Sequence, residues 1–194
     1  MNESIFILKG NIVYSKNQTE FAICEHGYLV CKDGKVDGIY QTLPFRLGGN
    51  PIRDYGDCLI IPGLVDLHIH APQYSYRGLG MDMELLEWLE VNTFPEEAKF
   101  EELDYAEKSY RIFTENIKNS ATTRACIFAT VHRPATLLLM DMLEKSGLDT
   151  YVGKVNMDRN CPDYICEETQ ESADETLEWI KDVNHRKYKN TKPI

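Results

Sequence analysis

The sequence is poor in several features that would direct it to particular partners or environments. Lys and Arg number 21 against 31 Asp and Glu, so the formal net charge is −10. A negatively charged surface repels phosphate backbones, and nucleic acid is therefore not expected as a partner. No run of about 18 apolar residues occurs, so no membrane-spanning helix and no membrane partner are expected.

Cysteine pairs and targeting signals are also scarce. The six cysteines include no Cys-x-x-Cys pair. Residues 1–4 lack the basic start of a secretory signal peptide, and no long apolar core follows. We therefore expect a cytoplasmic protein with reduced thiols. Cys161 and Cys166 lie in an expected loop, and a role for either in metal binding is disfavoured.

A short apolar run ending in two histidines stands out against this background. The chain has only five histidines, and His68 and His70 follow one another at a spacing of two in residues 62–70. Side chains alternate along a strand, so Asp66, His68 and His70 share one face. The two imidazoles can converge on one ion with nitrogen–metal distances of about 2.0–2.1 Å. The pattern predicts a metal site at His68 and His70, with an ordinary half-buried polar pair as the alternative.

Residues 1–61 are predicted to form a small antiparallel β module. Short apolar stretches alternate with tight turns, and Asp33-Gly34 is a hairpin signal. No catalytic cluster is evident in this part of the sequence. The predicted domain boundary falls near Pro62-Gly63, where a turn pair precedes the histidine-bearing strand.

Residues 62–194 alternate between strand and helix patterns. Buried strands are predicted at residues 122–130 and 151–157, and a further strand begins near Lys192. This alternation predicts an α/β fold with parallel strands, namely the first part of a (β/α)₈ barrel. A complete barrel needs about 250 residues, so we expect this chain to be the N-terminal part of a longer protein.

Several helix boundaries are also predicted from local signals. Asp82 is expected to cap a helix that runs to about Val91, and Phe94-Pro95 is expected to end it. The apolar positions of this helix are predicted to form one buried stripe: Leu85, Leu86 and Leu89. Gly147 is expected to end another helix. Ser172 with Glu175 is expected to form a capping box.

The order of motifs resembles the guanine deaminase family within the amidohydrolase superfamily. Residues 62–70 are similar to the first barrel strand of that superfamily, and residues 70–76, 85–89 and 93–96 are similar to the guanine deaminases. Further similar segments lie within residues 122–130 and 152–158. Residues 77–80 are instead similar to related chlorohydrolase-type deaminases. A deaminase of another heterocycle, or a non-catalytic amidohydrolase-like scaffold, therefore remains an alternative.

The resemblance implies a zinc-dependent hydrolase of purine catabolism that converts guanine and water to xanthine and ammonia. It implies one zinc ion per chain with His68 and His70 as ligands, and contacts to guanine from His70, Ala71, Pro72 and Gln73. It also implies a homodimer. In this family a third histidine, an aspartate and the acid/base glutamate come from later strands. No catalytic residue is therefore predicted within this chain, and residues 1–194 alone are expected to be inactive.

Other polar and aromatic residues have two interpretations each. Asp66 is predicted either to orient a histidine ring or to bond the strand end. Trp88 and Phe94 are predicted as core packing, with an aromatic pocket wall as the alternative. His132 follows a predicted strand, where a site role competes with a loop position. Lys154 lies within a predicted strand, and a metal-bridging role is disfavoured because the resemblance implies one metal.

Overall fold

The computed structural model describes residues 4–194, so the first three residues are not considered further. Two predictions include these three residues and to that extent lie outside the described part of the chain. One is the β module at residues 1–61, and the other is the lack of a signal peptide at residues 1–4. The chain divides between Pro62 and Gly63 into two compact units, and each is described by itself. None of the helices within residues 4–194 is both long and apolar enough to cross a membrane.

The first unit is a four-stranded sheet in the order β3-β2-β1-β4. The strands are β1 Ile5–Ser15, β2 Phe21–Lys32, β3 Lys35–Tyr40 and β4 Ile52–Ile60. Asp33 and Gly34 both have positive φ, 49° and 77°, which confirms the predicted hairpin between β2 and β3. Buried Ile7, Val30 and Leu47 form the centre of its core.

The predicted antiparallel arrangement of this module is wrong for one pair of strands. β1 pairs antiparallel with β2, and β2 with β3, whereas β1 pairs parallel with β4. The connection from β3 to β4 contains a short 3₁₀ turn, Phe45–Leu47, whose Leu47 is buried in the core. This longer connection allows β4 to run in the same direction as β1, which a tight hairpin would not permit.

The second unit is a parallel sheet in the order β5-β6-β7-β8, with helices between its strands. The strands are β5 Leu64–His70, β6 Thr122–Phe128, β7 Asp149–Gly153 and β8 Thr191–Pro193. The helices are α1 Leu85–Trp88, α2 Phe94–Ala98, α3 Leu103–Lys118, α4 Arg133–Ser146 and α5 Thr169–Arg186. The sequence of strands and helices confirms the predicted parallel α/β arrangement.

The core of the second unit lies between this sheet and its helices. Fully buried side chains come from both layers, including Tyr110 and Phe113 of α3, Leu139 of α4 and Val152 of β7. Gly147 follows α4 with φ of 81°, a left-handed conformation that glycine adopts without steric cost, so the predicted helix end is confirmed.

The helix predicted from Asp82 to Val91 is wrong at both ends. Helix α1 begins at Leu85, and a π-helical turn, Leu89–Thr93, leads directly into α2. Pro95 lies in the first turn of α2, where a missing N–H is tolerated, so the helical path continues through it. The side chains of Leu85 and Leu86 are 69% and 75% exposed, which contradicts the predicted buried stripe.

Two boundaries around β7 and α5 also differ from the predictions. β7 ends at Gly153, and residues 154–168 form an irregular connection. Helix α5 already begins at Thr169, so Ser172 lies inside the helix and is not its N-cap. The Ser172 hydroxyl donates to Glu167 and accepts a hydrogen bond from Asn156, both in the connection. The Ser172 hydroxyl, which the predicted capping box required, is therefore bonded to Glu167 and Asn156 instead.

Glu144 of α4 joins this helix to the segment that enters β8. Its two carboxylate oxygens accept backbone N–H groups of Lys189, Asn190 and Thr191 at 2.9, 2.9 and 3.0 Å. Burial acts to raise the pKa of Glu144, but these hydrogen bonds bring the pKa below its usual value. The bonds therefore stabilise the fold above the usual pKa of a glutamate, and this stabilisation is lost as the pH falls.

We expect Glu144→Ala to lower the free energy of unfolding by about 1–2 kcal/mol at pH 7, because charge-assisted hydrogen bonds at a partly exposed site are lost. Urea unfolding monitored by circular dichroism measures this change. Glu107→Ala is a matched control on α3, since Glu107 makes only an exposed ion pair with Arg111 and should change stability by less than about 0.5 kcal/mol. Equal losses in the two variants would contradict the role of Glu144.

Candidate functional site

The two histidines of β5 meet at the carboxyl end of the parallel sheet. The Nε2 atoms of His68 and His70 are 3.2 Å apart, and their ring centroids are separated by 5.0 Å. Phe128, the last residue of β6, pairs with His70 in the sheet register and lies against both rings at 4.6 and 4.7 Å. The two imidazole nitrogens are thus close together because residues two positions apart share one face of a strand, and because the Phe128 ring packs against both histidines.

This geometry fits two ligands of a tetrahedral metal ion. Bonds of about 2.0–2.1 Å at the tetrahedral angle place two ligand nitrogens about 3.3 Å apart, close to the observed separation. Burial lowers the pKa of His70, and the neighbouring His68 lowers it further. The lower pKa favours the neutral imidazole, which is the form that binds metals. Within residues 4–194, no group of three or more His, Cys, Asp or Glu side chains could hold a metal. Among the described residues, the pair could therefore supply only part of a ligand set.

Gln73 reaches back to the histidine pair from the turn that follows β5. It lies in a short 3₁₀ helix, Pro72–Tyr76, and its Nε2 atom is 3.2 Å from Nδ1 of His70. Buried Ala71 continues the pairing with β6, because its N–H donates to the carbonyl of Phe128 at 3.0 Å. The predicted contact residues at positions 70–73 thus lie together at this edge of the sheet.

Glu97 is a member of the site that the sequence patterns did not reveal. Its Oε1 accepts a hydrogen bond from Nε2 of Gln73 at 3.0 Å, although the two residues are 24 positions apart. The residue is only 2% exposed, and burial raises the pKa of Glu97 to about 7, while the bond from Gln73 opposes that shift. Thr93, Glu97 and Phe100 recur at helical spacing in the sequence, and the structure buries all three.

These residues line a cleft of about 470 Å³, which is within the usual range for small-molecule sites. Phe94 lines the cleft together with His70 and Gln73, and residues 155–161 also line it. The alternative reading of Phe94 as a pocket wall thus agrees with its position. Trp88 lies elsewhere: its ring packs against Tyr76, and its indole N–H donates to the carbonyl of Leu79 at 2.8 Å.

The remaining candidates occupy other positions. Asp66 accepts a hydrogen bond from the backbone N–H of His68 at 3.1 Å, which agrees with its strand-end interpretation. His132 is half-buried at the start of α4 and lines a different cleft. Lys154 follows β7, and its Nζ binds Glu167 Oε1 at 3.0 Å. Cys161 lines the cleft of Gln73, and Cys166 lines the cleft of His132.

Fold and site together define a parallel β/α protein with a potential metal site at the carboxyl ends of its strands, the location of active sites in β/α barrels. The sequence model of the Amidohydrolase family matches residues 59–192. The chain belongs to the amidohydrolase family.

Several known proteins resemble this chain closely. Guanine deaminase of Homo sapiens is 47% identical over 137 residues, which cover 69% of this chain and 30% of that protein. Guanine deaminase of Escherichia coli is 36% identical over 160 residues, covering 81% of this chain and 36% of that protein. The crystal structure of guanine deaminase from C. acetobutylicum with bound guanine superposes with a TM-score of 0.91 at 47% identity, covering 98% of this chain and 45% of that one.

The chain therefore spans between about one third and one half of the length of these relatives. The superposition with the C. acetobutylicum structure shows that the fold expected from the sequence is present, namely the first part of an amidohydrolase barrel with its preceding β module.

Proposed function

We propose that the protein carrying this chain is a guanine deaminase, which hydrolyses guanine to xanthine and ammonia in purine catabolism. The observation that carries the proposal is a cleft of suitable size lined by His70 and Gln73, with His68 Nε2 at 3.2 Å from His70 Nε2. The relatives described above support the choice of guanine, since several are guanine deaminases and one holds guanine in its active site.

We assign His68 and His70 as ligands of one zinc ion per chain. Their Nε2 atoms have the separation that two tetrahedral ligands require, and Phe128 restricts both rings. Zinc bound there would supply activated water for attack on the amino-bearing carbon of the base. On the basis of the family resemblance, we assign further ligands and the acid/base group to later strands of the barrel; residues 4–194 hold no larger cluster of metal-binding side chains. Residues 1–194 alone should therefore be inactive.

We assign the segment from His70 to Gln73 to substrate binding. The Gln73 amide stands beside the histidine pair, with Ala71 and Pro72 between them in the chain. Phe94 lines the same cleft and offers an apolar surface to a flat ring. A cytoplasmic homodimer is part of the proposal, on the basis of the family resemblance.

Deamination of another heterocycle is the alternative, and it is motivated by residues 77–80. In the structure the Arg77 guanidinium lies 3.9 Å above the ring of Tyr74 and donates to the Tyr74 carbonyl at 2.7 Å. Arg77 therefore packs on its own loop and does not line the cleft of Gln73. Parallel assays of guanine, adenine and an amino-substituted triazine separate the two functions. Turnover of a triazine without turnover of guanine would refute the proposal.

We expect Gln73→Ala to lower kcat/KM for guanine by roughly 10- to 100-fold. The loss corresponds to about 1–3 kcal/mol, because a polar group of the bound base loses its partner in a buried site. Steady-state formation of xanthine measures the effect. Gln170→Ala is a suitable control, since Gln170 binds only Asp174 on the exposed face of α5. Wild-type kcat/KM in the Gln73 variant would remove this residue from the substrate site.

A further inference from the structure

Two cysteines lie together in the irregular connection between β7 and α5, and the proposed function uses neither of them. The connection closes on itself, because the carbonyl of Met157 accepts the N–H of Glu167 at 2.6 Å. Cys161 and Cys166 both lie between these two residues in the chain. Cys166 is exposed, whereas Cys161 is only partly exposed. The loop therefore combines one thiol that is open to reagents with a second thiol a few residues away.

A tight turn brings the two side chains toward one another. The carbonyl of Pro162 accepts the N–H groups of Ile165 and Cys166 at 3.0 and 3.1 Å, so the chain between the two cysteines turns back on itself. The thiol of Cys161 interacts directly with that of Cys166. Two cysteines can be bridged without a large movement of the backbone only when their side chains approach one another in this way.

The surroundings of the two sulfur atoms give them different reactivities. Cys166 is the exposed member of the pair, so it meets a reagent in solution first. Burial and the neighbouring Cys166 raise the pKa of Cys161 to about 11, and its Sγ lies 3.7 Å from the carbonyl of Met157. The charge of Cys166 contributes to this pKa, and that charge disappears once Cys166 has reacted. Cys161 is therefore suited to react second.

We propose that Cys161 and Cys166 form a redox-sensitive modification site for small-molecule disulfides such as oxidised glutathione. The Cys166 thiolate attacks one sulfur of the reagent, which forms a mixed disulfide and releases one thiolate. Cys161 then loses its proton to solvent and attacks the Cys166 sulfur, which expels the second thiolate. Two protein thiols and one reagent disulfide thus become one protein disulfide and two reagent thiols, which take up the two protons.

The bridge would act on the wall of the cleft described above. Cys161 lines that cleft together with His70 and Gln73, as do residues 155–160. A covalent bond from position 161 to position 166 removes conformational freedom from the loop that Met157 and Glu167 close. The inference goes beyond the proposed function and does not depend on it, because it requires only the two thiols.

Peptide mapping of the whole protein after incubation with oxidised glutathione tests the proposal. Trypsin cleavage after Arg159 and Lys181 places both cysteines in one peptide. We expect this peptide to be two hydrogen atoms lighter than its reduced form and to carry no glutathione. Chymotrypsin cleavage after Tyr164 should give two fragments that separate only after reduction. Cys58, an exposed cysteine of the first unit, is the internal control and should retain bound glutathione.

Cys161→Ser is the matched variant, because it removes only the thiol that reacts second. In this variant Cys166 should retain its glutathione, and the fraction of chains with that adduct should exceed the wild-type fraction at least tenfold, to about that order. Cys161→Ala serves if the serine variant does not fold. An adduct that persists on Cys166 in the wild type, a bridge from Cys166 to a different cysteine, or no modification of either thiol would overturn the proposal.

Discussion

Replacing His68 and His70 together by alanine should remove zinc from the protein and abolish guanine deamination. The two Nε2 atoms are 3.2 Å apart, and in the proposed site they would provide two of the few ligands that a catalytic zinc accepts. We expect the zinc content to fall from about one ion per chain to less than about 0.1, and kcat/KM to fall at least about 10³-fold. Elemental analysis of the purified protein gives the first quantity, and xanthine formation gives the second.

The control for this experiment removes two histidines that are not among the residues lining the cleft. His26 belongs to the first unit, and His185 lies on the exposed face of α5, where its Nδ1 is 2.8 Å from the carbonyl of Lys181. His26→Ala with His185→Ala should retain its zinc and its activity. Circular dichroism of both double variants establishes that they are folded. Unchanged zinc content after loss of His68 and His70 would show that the metal binds elsewhere or not at all.

The second large effect concerns the buried ion pair behind the cleft wall. The side chain of Lys154 is fully buried, and its ammonium group binds Glu167 Oε1 at 3.0 Å and the Val155 carbonyl at 3.1 Å. The other oxygen of Glu167 accepts hydrogen bonds from the Met157 N–H and the Ser172 hydroxyl at 2.9 and 3.0 Å. The pair thus connects the end of β7, the irregular connection and helix α5.

Glu167→Ala should lower the free energy of unfolding by about 3–5 kcal/mol, because it leaves a buried ammonium group without its counter-charge. Adding Lys154→Met should restore a large part of this loss, since an apolar side chain of similar length needs no counter-charge. Urea unfolding of the wild type and of both variants measures the two changes. Glu171→Ala on the exposed start of α5 is the control. A loss below about 1 kcal/mol for Glu167→Ala would contradict the role of the pair.

Predictions from the sequence succeeded where the governing interactions are local. Side chains alternate between the two faces of a strand, so His68 and His70 share one face independently of the contacts that the strand makes. Gly147 ends α4 because a left-handed residue follows the last turn, and glycine adopts that conformation freely. The alternation of apolar strands and helices likewise indicated a parallel sheet.

Predictions failed where a neighbouring turn or a distant group competes with the expected local signal. Pro95 did not end the helical path, because a π-helical turn precedes it and places it in a first turn. Ser172 did not cap α5, because its hydroxyl binds Glu167 and Asn156. The end of the strand that became β7 was predicted four residues too late, since Lys154 leaves the strand to pair with Glu167.

The sequence by itself determined the histidine pair, its strand and the class of fold, because each can be predicted from local patterns of apolar and polar residues. The tertiary structure alone decided that Glu97 meets Gln73 and that Lys154 meets Glu167. The members of these pairs lie 24 and 13 positions apart in the chain. Burial then gives the contacts their strength, since charged and amide groups removed from water interact far more strongly than the same groups at the surface.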